Sequence, residues 1–202
     1  EREEEDYKQR GPLNWGLDPN QDRERDTDSF ALELRTDISD DLSFAASGRY
    51  DDNSEFDSAS TFRVEAIYQL NDGLRLRSAY GTAVKNPTFT ERFGFYTNFI
   101  GNPNLEPEES SSWELGVDQQ MGELNLSATL FDTELESEID GFVYDPATFA
   151  YTSGNKEGKS QRQGVEFTAS VDMSDNLVIN AAYTYTDSVE ADGVGGYKDE
   201  IR

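Results

Sequence analysis

Strict alternation between apolar and polar side chains constrains this chain more than any other feature of its sequence. In eight segments, separated by turn or loop sequences, every second position holds an apolar side chain or, at Thr36, Gly48 and Ser78, a small uncharged residue. A period of two is that of a β-strand, because successive side chains point to opposite faces of a sheet. The chain is therefore expected to be all-β, with strands that begin near Thr27, Leu42, Phe62, Leu74, Trp113, Leu124, Val165 and Leu177.

The connections between these segments alternate in length. Short turns fall at 39–41, 71–73, 121–123 and 173–176, and the connections between them are long. In an antiparallel meander, this puts every short turn at one end of the sheet and every long loop at the other. Outer-membrane barrels have this asymmetry, with short periplasmic turns and long extracellular loops. We therefore expect an antiparallel up-and-down transmembrane β-barrel, here an incomplete arc of about eight strands.

The two faces of the expected strands differ in character. No charged residue falls on the apolar face of the eight segments, where a Lys or Arg at the bilayer centre would cost about 2–4 kcal/mol. Aromatic rings collect on that face at the long-loop end, as in an interfacial girdle: Phe30, Tyr50, Phe62, Tyr80, Trp113 and Tyr185. The opposite face is too polar for a packed core, and we expect it to meet a wet lumen or a plug domain through Arg49, Arg63, Glu65, Arg75, Arg77, Glu114, Asp118 and Glu166.

Composition excludes several classes of function. The chain contains no Cys and no His, so disulfides, thiolate nucleophiles, Cys-based zinc sites and Ser-His-Asp triads cannot form. A formal net charge of −25 repels nucleic acid, which is therefore not expected as a partner. Carboxylate pairs carry no signal among 42 acidic residues. We expect neither an enzyme nor a bound cofactor.

The longest connection, 82–111, is rich in aromatic residues. Asn-Pro pairs at 86–87 and 102–103 exclude a helix or a central strand across them. A loop of roughly thirty residues between two strands is usually functional or disordered, and we interpret this one as functional. With the later connection 132–158 and the strand that follows it, it supplies the candidate ligand-binding residues Phe93, Phe95, Tyr96, Asn98, Phe99, Tyr144, Tyr151 and Arg162. The alternative is that the loop rings pack the loop onto itself or against neighbouring loops.

Three stretches within 74–187 resemble a known family. They read G-T-A-V-K-N-P-T-F-T-E-R-F-G, G-N-P-N-L-E-P-E-E-S-S-S-W-E-L-G and Y-T-S-G-N-K-E-G-K-S-Q-R-Q-G-V-E-F. The pattern resembles the barrel of TonB-dependent outer-membrane receptors, and is most similar to the branch of the cobalamin receptor and related siderophore receptors. In that family an Arg often follows shortly after the Gly that corresponds to Gly158 in the third stretch. This chain has Gln161 there, and Arg162 comes one residue later. A shift of one residue changes the face of the strand, so a lumen or ligand role for Arg162 stays open.

The resemblance implies a function as well as a fold. It implies a whole barrel of about 22 strands and active uptake of a scarce ligand such as a ferric siderophore or cobalamin. The implied mechanism is binding by extracellular loops and the tips of a plug domain, followed by plug rearrangement driven by TonB. The implied partners are outer-membrane lipid, the small-molecule ligand, TonB and the receptor's own plug.

We expect this chain to be an internal barrel segment without the plug or a TonB box. Its expected organisation is a loop over 1–26, four strands within 27–81, an extracellular loop over 82–111, four strands within 112–186 and a loop over 187–202.

An acidic segment at 51–57 is the candidate for a metal site. Its carboxylate and amide oxygens suit calcium and belong to Asp51, Asp52, Asn53 and Asp57. The segment lacks the Gly and Glu spacing of an EF-hand, so we favour a solvated loop tip and expect no metal site. Cobalamin receptors of the resembling family use loop aspartates for calcium, but no motif here carries those positions across.

Two other readings stay open from the sequence alone. A passive porin, or a small structural or adhesive barrel, would show the same strands, since eight strands can close by themselves. A soluble acidic β-sandwich used as a binding module would also alternate. Pairing between the strand at 27–38 and the strand at 177–186 distinguishes a closed eight-stranded barrel from an arc of a larger one.

Overall fold

The computed structural model describes residues 1–12, 18–95, 98–191 and, for the backbone alone, 197–199. These residues form twelve strands and one short helix, α1, at Phe89–Phe93. None of the described helices is long and apolar enough to cross a membrane. The strands are β1 (Arg2–Gln9), β2 (Gln21–Ser39), β3 (Leu42–Asn53), β4 (Ala59–Asn71), β5 (Leu74–Lys85), β6 (Glu108–Met121), β7 (Leu124–Glu136), β8 (Ile139–Asp145), β9 (Ala150–Asn155), β10 (Lys159–Ser174), β11 (Leu177–Ala191) and β12 (Tyr197–Asp199).

Ten of these strands form one antiparallel sheet in the order β1-β2-β3-β4-β5-β6-β7-β10-β11-β12, while β8 and β9 pair only with each other. Strand β2 pairs with β1 and β3, and β11 pairs with β10 and β12. In a closed eight-stranded barrel, β2 and β11 would pair with each other, but here each has two other partners. The expected all-β up-and-down arc is confirmed, and across the described residues the sheet stays open.

The eight strands expected from the alternation correspond to β2–β7, β10 and β11. All four short connections are two-residue turns, at 40–41, 72–73, 122–123 and 175–176. At three of these turns the register shifts by one residue, which leaves an apolar side chain in the bulge: Ile38, Leu70 or Met173. A bulge of this kind bends and twists the strand end. The same local distortion therefore recurs at three of the four short turns.

Strand register confirms the two faces. One row runs from Val64 through Tyr80 to Trp113, and the next apolar row places Leu115 opposite Leu130. The apolar face is continuous across the eight strands and open to the exterior, with Phe30 68% exposed. The buried hydrophobic side chains lie instead at the long-loop end: Phe99, Leu105, Ala150 and Ala191. Among the described residues, the packed core therefore lies at the long-loop end and not between the faces of the sheet.

The structure corrects the expected loop over 1–26. Strand β1 and the first part of β2 lie there and form an eight-residue ladder from Arg2↔Asp28 to Gln9↔Gln21. This ladder has no apolar face, because its side chains are almost all charged or polar, and cross-strand ion pairs such as Glu5 with Arg25 replace apolar contacts. Apolar periodicity could not reveal a strand of this kind.

The other loop boundaries are corrected in the same direction. Strand β5 continues to Lys85 and β6 begins at Glu108, so the expected loop 82–111 is shorter by several residues at each end. Strand β11 continues to Ala191 and pairs with β12, inside the expected loop 187–202. In each case the backbone hydrogen bonds continue beyond the last residue of the apolar pattern, because these bonds need only a partner strand.

Candidate ligand-binding loops and polar face

The eight residues expected on the polar face share that face in the structure. The register of the paired strands keeps all of them on one side of the sheet, from Arg49 in β3 to Glu166 in β10. A groove on this face is lined by side chains from four strands: Arg77, Glu114, Ser127, Thr129, Phe131, Thr133, Glu166 and Thr168. The face therefore offers hydrogen-bond donors and acceptors over its whole width.

A hydrogen-bonded cluster centres on Asp118. Its Oδ2 accepts from Arg75 Nε at 2.8 Å and from Arg77 Nε at 3.0 Å, and its Oδ1 accepts from Ser127 Oγ at 2.7 Å. Arg77 reaches further and donates to Thr129 Oγ1 at 2.8 Å. The cluster joins β5, β6 and β7 side by side, so its guanidinium groups are held in fixed positions.

Gly116 makes room for this cluster. A Cβ at residue 116 would lie 2.6 Å from Arg77 Cζ, which is closer than atoms pack. The Arg77 guanidinium therefore lies flat over the backbone of β6, and a larger residue would displace it.

The remaining polar-face residues make more local contacts. Arg63 forms an ion pair with Glu65 on its own strand, and Arg49 with Asp51 at 2.8 Å. Opposite Glu166, the two adjoining strands place Thr129 and Thr184. The side chains of Arg49, Arg63 and Glu65 stay exposed on this face.

The connection 86–107, here called the crossing loop, begins with a capped turn of helix. Thr88 caps α1 by accepting from the Glu91 N–H, and the Glu91 carboxylate accepts from the Thr88 N–H at 2.7 Å. This capping box follows from the T-F-T-E sequence. The helix ends at Gly94, whose φ of 73° lies in the region that Gly adopts most readily. The crossing loop thus starts as an ordered element.

Two arginines hold the start of the crossing loop to distant elements. Arg25, only 8% exposed, donates to the Pro87 carbonyl at 2.9 Å and makes a two-pronged ion pair with Glu5. Arg92 donates to Glu55 Oε2 at 2.7 Å, and the two guanidinium groups lie over the ring of Phe56. Arg25 is on the polar side of β2, so the loop folds over that face of the sheet.

The second half of the crossing loop is joined to the β8–β9 hairpin. Ile100 N–H donates to the Tyr151 carbonyl at 2.9 Å, and Tyr151 N–H donates to the Asn98 carbonyl at 2.7 Å. Asn155 makes two hydrogen bonds with the backbone of Glu106, each of 2.9 Å. The loop therefore spans the sheet from β1–β2 to the connection between β7 and β10.

Aromatic rings fill the junction between the crossing loop and the hairpin. Phe99 is 3% exposed, and its ring centroid lies 5.0 Å from that of Phe95 and 5.4 Å from that of Phe142. Phe142 and Tyr144 each contact Tyr151, at 5.4 Å and 5.6 Å. Phe99 is thus a packing residue, as in the alternative interpretation of the loop, whereas the other four rings are exposed at the surface.

The other candidate ligand residues divide in the same way. Phe93 is half-buried, with the Arg23 guanidinium 4.1 Å above its ring. Asn98 is exposed, and Tyr96 lies outside the described residues. Arg162 occupies the polar face, opposite Thr133 and Ser188, and forms an ion pair with Glu138 at 3.3 Å. The register therefore places Arg162 on the polar face, beside the base of the hairpin.

Glu138 organises the base of the hairpin. It accepts from Ser160 and forms ion pairs with Arg162 and Lys156, and Lys156 also reaches Glu190 at 3.1 Å. Partial burial would lower the pKa of Lys156, but its hydrogen bonds and ion pairs with Glu190 and Glu138 outweigh this and raise that pKa. The hairpin is therefore fixed to β10 and β11 by charge.

The calcium candidates have other partners. Asp51 accepts from Ser29 Oγ at 2.5 Å and from Arg49, and Asn53 bonds to Thr27 and to the Glu55 N–H. Asp52 and Asp57 are exposed. Across the described residues, no group of three or more His, Cys, Asp or Glu side chains has the geometry to hold a metal ion.

Sequence reasoning did not identify Arg25, Asn155 or Phe142. Arg25 lies in a stretch that lacks apolar periodicity, and its partners are more than sixty residues apart in the chain. Asn155 belongs to the G-N-K-E-G stretch that carried the family resemblance, so a signal for it was present. Phe142 follows Gly141 in a connection that showed no strand pattern.

The sheet and its loops define a class of protein, namely an up-and-down β-barrel whose long connections fold over the polar face. Residues 3–201 match the family described as TonB dependent receptor-like, beta-barrel. The chain belongs to this family.

Solved structures show the same fold. The siderophore receptor PirA from Acinetobacter baumannii is 24% identical with a TM-score of 0.69, over 84% of this chain and 28% of its own. A mutant ferric enterobactin receptor, PfeA, from Pseudomonas aeruginosa, solved in complex with enterobactin, is 18% identical with a TM-score of 0.72, over 86% and 30%. The copper transporter OprC is 14% identical with a TM-score of 0.68, over 82% and 29%. The chain thus spans about a third of the length of these receptors.

Proposed function

We propose that this chain is part of an outer-membrane receptor that takes up a scarce ligand, such as a ferric siderophore or cobalamin, in a TonB-dependent way. Membership of the family supports this proposal. The observation that carries the membrane part of it is the slope of the aromatic girdle across the sheet.

Between β3 and β11 the girdle descends relative to the strand register. The row of Tyr50 meets β4 at Ser60, whereas the row of Tyr185, followed through β10, β7, β6 and β5, meets β4 at Ala66, six residues further along. Strands β3 and β11 are six steps apart in the sheet. One residue of about 3.3 Å for each strand spacing of about 4.8 Å is a tilt of about 35°. Strands of membrane barrels tilt by about 35–45°.

The height of the apolar band agrees with this tilt. On β4 the apolar face runs from Phe62 to Leu70, and on β11 from Leu177 to Tyr185, which is nine residues in each strand. Such a run is about 26 Å long, or about 22 Å in height at a tilt of 35°. The apolar band of an outer-membrane barrel is about 25 Å tall. A soluble sandwich has no reason to match either dimension.

The long-loop end is then the extracellular end, and ligand would meet the exposed rings there. Phe95, Phe142, Tyr144 and Tyr151 offer an aromatic surface above the polar face. The polar face would contact the receptor's own plug domain through residues such as Arg75 and Glu166. TonB would act on that plug from the inner membrane.

Cysteine labelling of the full-length receptor in its membrane tests the location of the sheet. Ala45 and Ala46 are neighbours on β3 that lie on the polar and the apolar face respectively, and this chain has no native Cys. A water-soluble maleimide should label Ala45→Cys and leave Ala46→Cys unlabelled until the membrane is dissolved. Equal labelling of both would contradict a membrane-spanning sheet.

Transport is tested separately with the same receptor. Accumulation of a labelled ferric chelate in cells should require both the receptor and TonB. Accumulation that persists without TonB would favour the alternative, a passive porin.

A further inference from the structure

Four exposed rings form one patch at the junction of the crossing loop and the hairpin. We call Phe95, Phe142, Tyr144 and Tyr151 the aromatic patch; buried Phe99 connects Phe95 to Phe142, and Tyr151 connects Phe142 to Tyr144. Exposed aromatic surface of this extent is unfavourable in water and marks binding surfaces on proteins. The patch therefore has the chemistry to receive a flat or apolar ligand surface.

The tip of the hairpin carries a further exposed ring, at a conformational cost. Phe149 has a φ of 55° and is 81% exposed. Left-handed backbone is unfavourable for a bulky side chain, and Gly or Asn would adopt it more easily. A strained aromatic residue held out in solvent indicates a use for its ring.

The elements that carry the patch are acidic. Residues 86–107 and 139–155 contain Glu91, Glu106, Asp140 and Asp145, against Arg92 as their one basic residue. Arg92 is occupied by Glu55 at 2.7 Å and is only 12% exposed in its side chain. The patch thus has acidic neighbours on its own elements and no basic side chain there that is free to meet an anion.

Three basic residues next to the hairpin are also paired with acidic side chains. Lys156 pairs with Glu138 and Glu190, Arg162 pairs with Glu138, and Lys159 pairs with Glu134 and Glu136. An anionic ligand would have to break these pairs or remain uncompensated, and an uncompensated charge at a surface that excludes water is unfavourable.

The two hairpin acids also shape its turns. Asp140 accepts from the Phe142 N–H at 3.0 Å, and Asp145 accepts from the Ala147 N–H at 2.9 Å and from the Thr148 hydroxyl at 2.8 Å. The hydrogen bonds from Ala147 and Thr148 lower the pKa of Asp145. The two acids therefore lie at the two ends of β8, beside the rings of the patch.

We infer that the aromatic patch selects a metal chelate that presents flat or apolar surface and carries no net negative charge, that is, a neutral or cationic chelate. This rests on the proposed function. Ring faces attract cations, and the acidic neighbours favour them further. Among the described residues of the crossing loop and the hairpin, a trianionic chelate, such as a tris(catecholate), finds no basic side chain that lacks an acidic partner.

The test measures the binding of two gallium chelates to the full-length receptor in detergent micelles. One is a trianionic tris(catecholate) and the other a tris(hydroxamate) that carries one ammonium group, both with the same phenyl substituents. The cationic chelate should bind at least about tenfold more tightly, and its affinity should fall as salt rises. Equal or tighter binding of the trianionic chelate would overturn the inference.

Charge removal without loss of the turns gives a sharper comparison. In Asp140→Asn and Asp145→Asn the side-chain oxygen can still accept from the backbone, so the turns are kept. Each change should weaken the cationic chelate by about two- to fivefold and should not weaken the trianionic one. Glu123→Gln, in a short turn at the far end of the sheet, is the matched control and should change neither affinity.

Loss of a ring separates the inference from the proposed function. Tyr144→Ser should weaken the cationic chelate by about tenfold. If the trianionic chelate binds more tightly and its binding depends on Tyr144, the charge selection is wrong and the proposed function stands. If the chelates bind but neither affinity changes in Tyr144→Ser, or if neither chelate binds at all, the patch is not a ligand site for metal chelates. The inference then falls together with that part of the proposal.

Discussion

Asn155 and Glu106 hold the hairpin and the crossing loop together by a reciprocal pair of hydrogen bonds. The Asn155 side-chain oxygen accepts from the Glu106 N–H, and its Nδ2 donates to the Glu106 carbonyl, each at 2.9 Å. Nδ2 also donates to the Ser137 carbonyl at 2.7 Å. One amide side chain thus replaces a short piece of sheet between two connections that are not neighbours in the chain.

Asn155→Asp should therefore loosen the crossing loop. The new oxygen would face two carbonyls in place of a donor, and the local cost is about 1–3 kcal/mol. Hydrogen exchange at residues 98–107 should quicken by about tenfold or more, while the unfolding temperature of the barrel stays nearly constant. Asn104→Asp is the control, because its backbone N–H makes the hydrogen bond seen at that residue. Unchanged exchange in Asn155→Asp would contradict this role.

Gly116→Ala should disturb the cluster around Asp118. The added Cβ would displace the Arg77 guanidinium, and overpacking of this kind costs about 1–3 kcal/mol. Urea unfolding in lipid vesicles should show the loss. Gly48→Ala is the matched control, since its Cβ would meet nothing closer than 3.9 Å. A cost for Gly48→Ala as large as that for Gly116→Ala would exclude the steric explanation.

An arginine scan across one strand should distinguish the two faces. Ala181 and Ala182 are adjacent on β11, and register places them on the apolar and the polar face respectively. Ala181→Arg should destabilise folding into vesicles by about 2–4 kcal/mol, whereas Ala182→Arg should be nearly neutral. Equal effects of the two substitutions would show that the apolar face does not meet lipid.

High pH should release the base of the hairpin. The pKa of Lys156 is raised in the folded state by its pairing with Glu190 and Glu138. Its stabilising contribution is therefore complete below the unfolded-state pKa of about 10.5 and is lost as the pH rises through the higher folded-state value. A fluorescent probe at the hairpin tip should become more mobile above that point. In Lys156→Arg the positive charge persists, so this response should disappear.

Phe149→Gly should stabilise the hairpin tip. Gly adopts a φ of 55° without the steric cost that Phe meets there, and relief of such strain is worth about 1–3 kcal/mol. Slower hydrogen exchange at 145–150 would show it. Phe149→Ala serves as the comparison, since it removes the ring but keeps the strain. If Ala and Gly behave alike, the backbone at this residue is not strained.

The sequence was sufficient for the sheet because one rule governs it. Every second residue of β2–β7, β10 and β11 faces one way, and a face without charge is visible in the sequence itself. Beyond the apolar band, the alternation of apolar and polar residues no longer marks the strands. Strand β1 and the first part of β2 are held by backbone pairing and by pairs such as Glu5 with Arg25, and a charged strand has the composition of a loop.

The candidate site was predictable in part. The aromatic content of the crossing loop indicated its importance, but the same content suits a packed ring and an exposed ring. Phe99 and Phe95 lie four residues apart; Phe99 packs against Phe142 of the distant β8–β9 hairpin and is buried, whereas Phe95 stays at the surface. Partner choice over such separations has no local signature.

The joint between the crossing loop and the β8–β9 hairpin also bears on how receptors of this kind diverge. Ile100, Tyr151, Asn155 and Glu106 couple two connections through backbone bonds and one amide. If either connection alone were transplanted into a relative, its hydrogen-bonding groups would lose their partners on the other connection. The two connections are therefore expected to be inherited, lost and exchanged as one unit, and chimeric receptors should respect that unit.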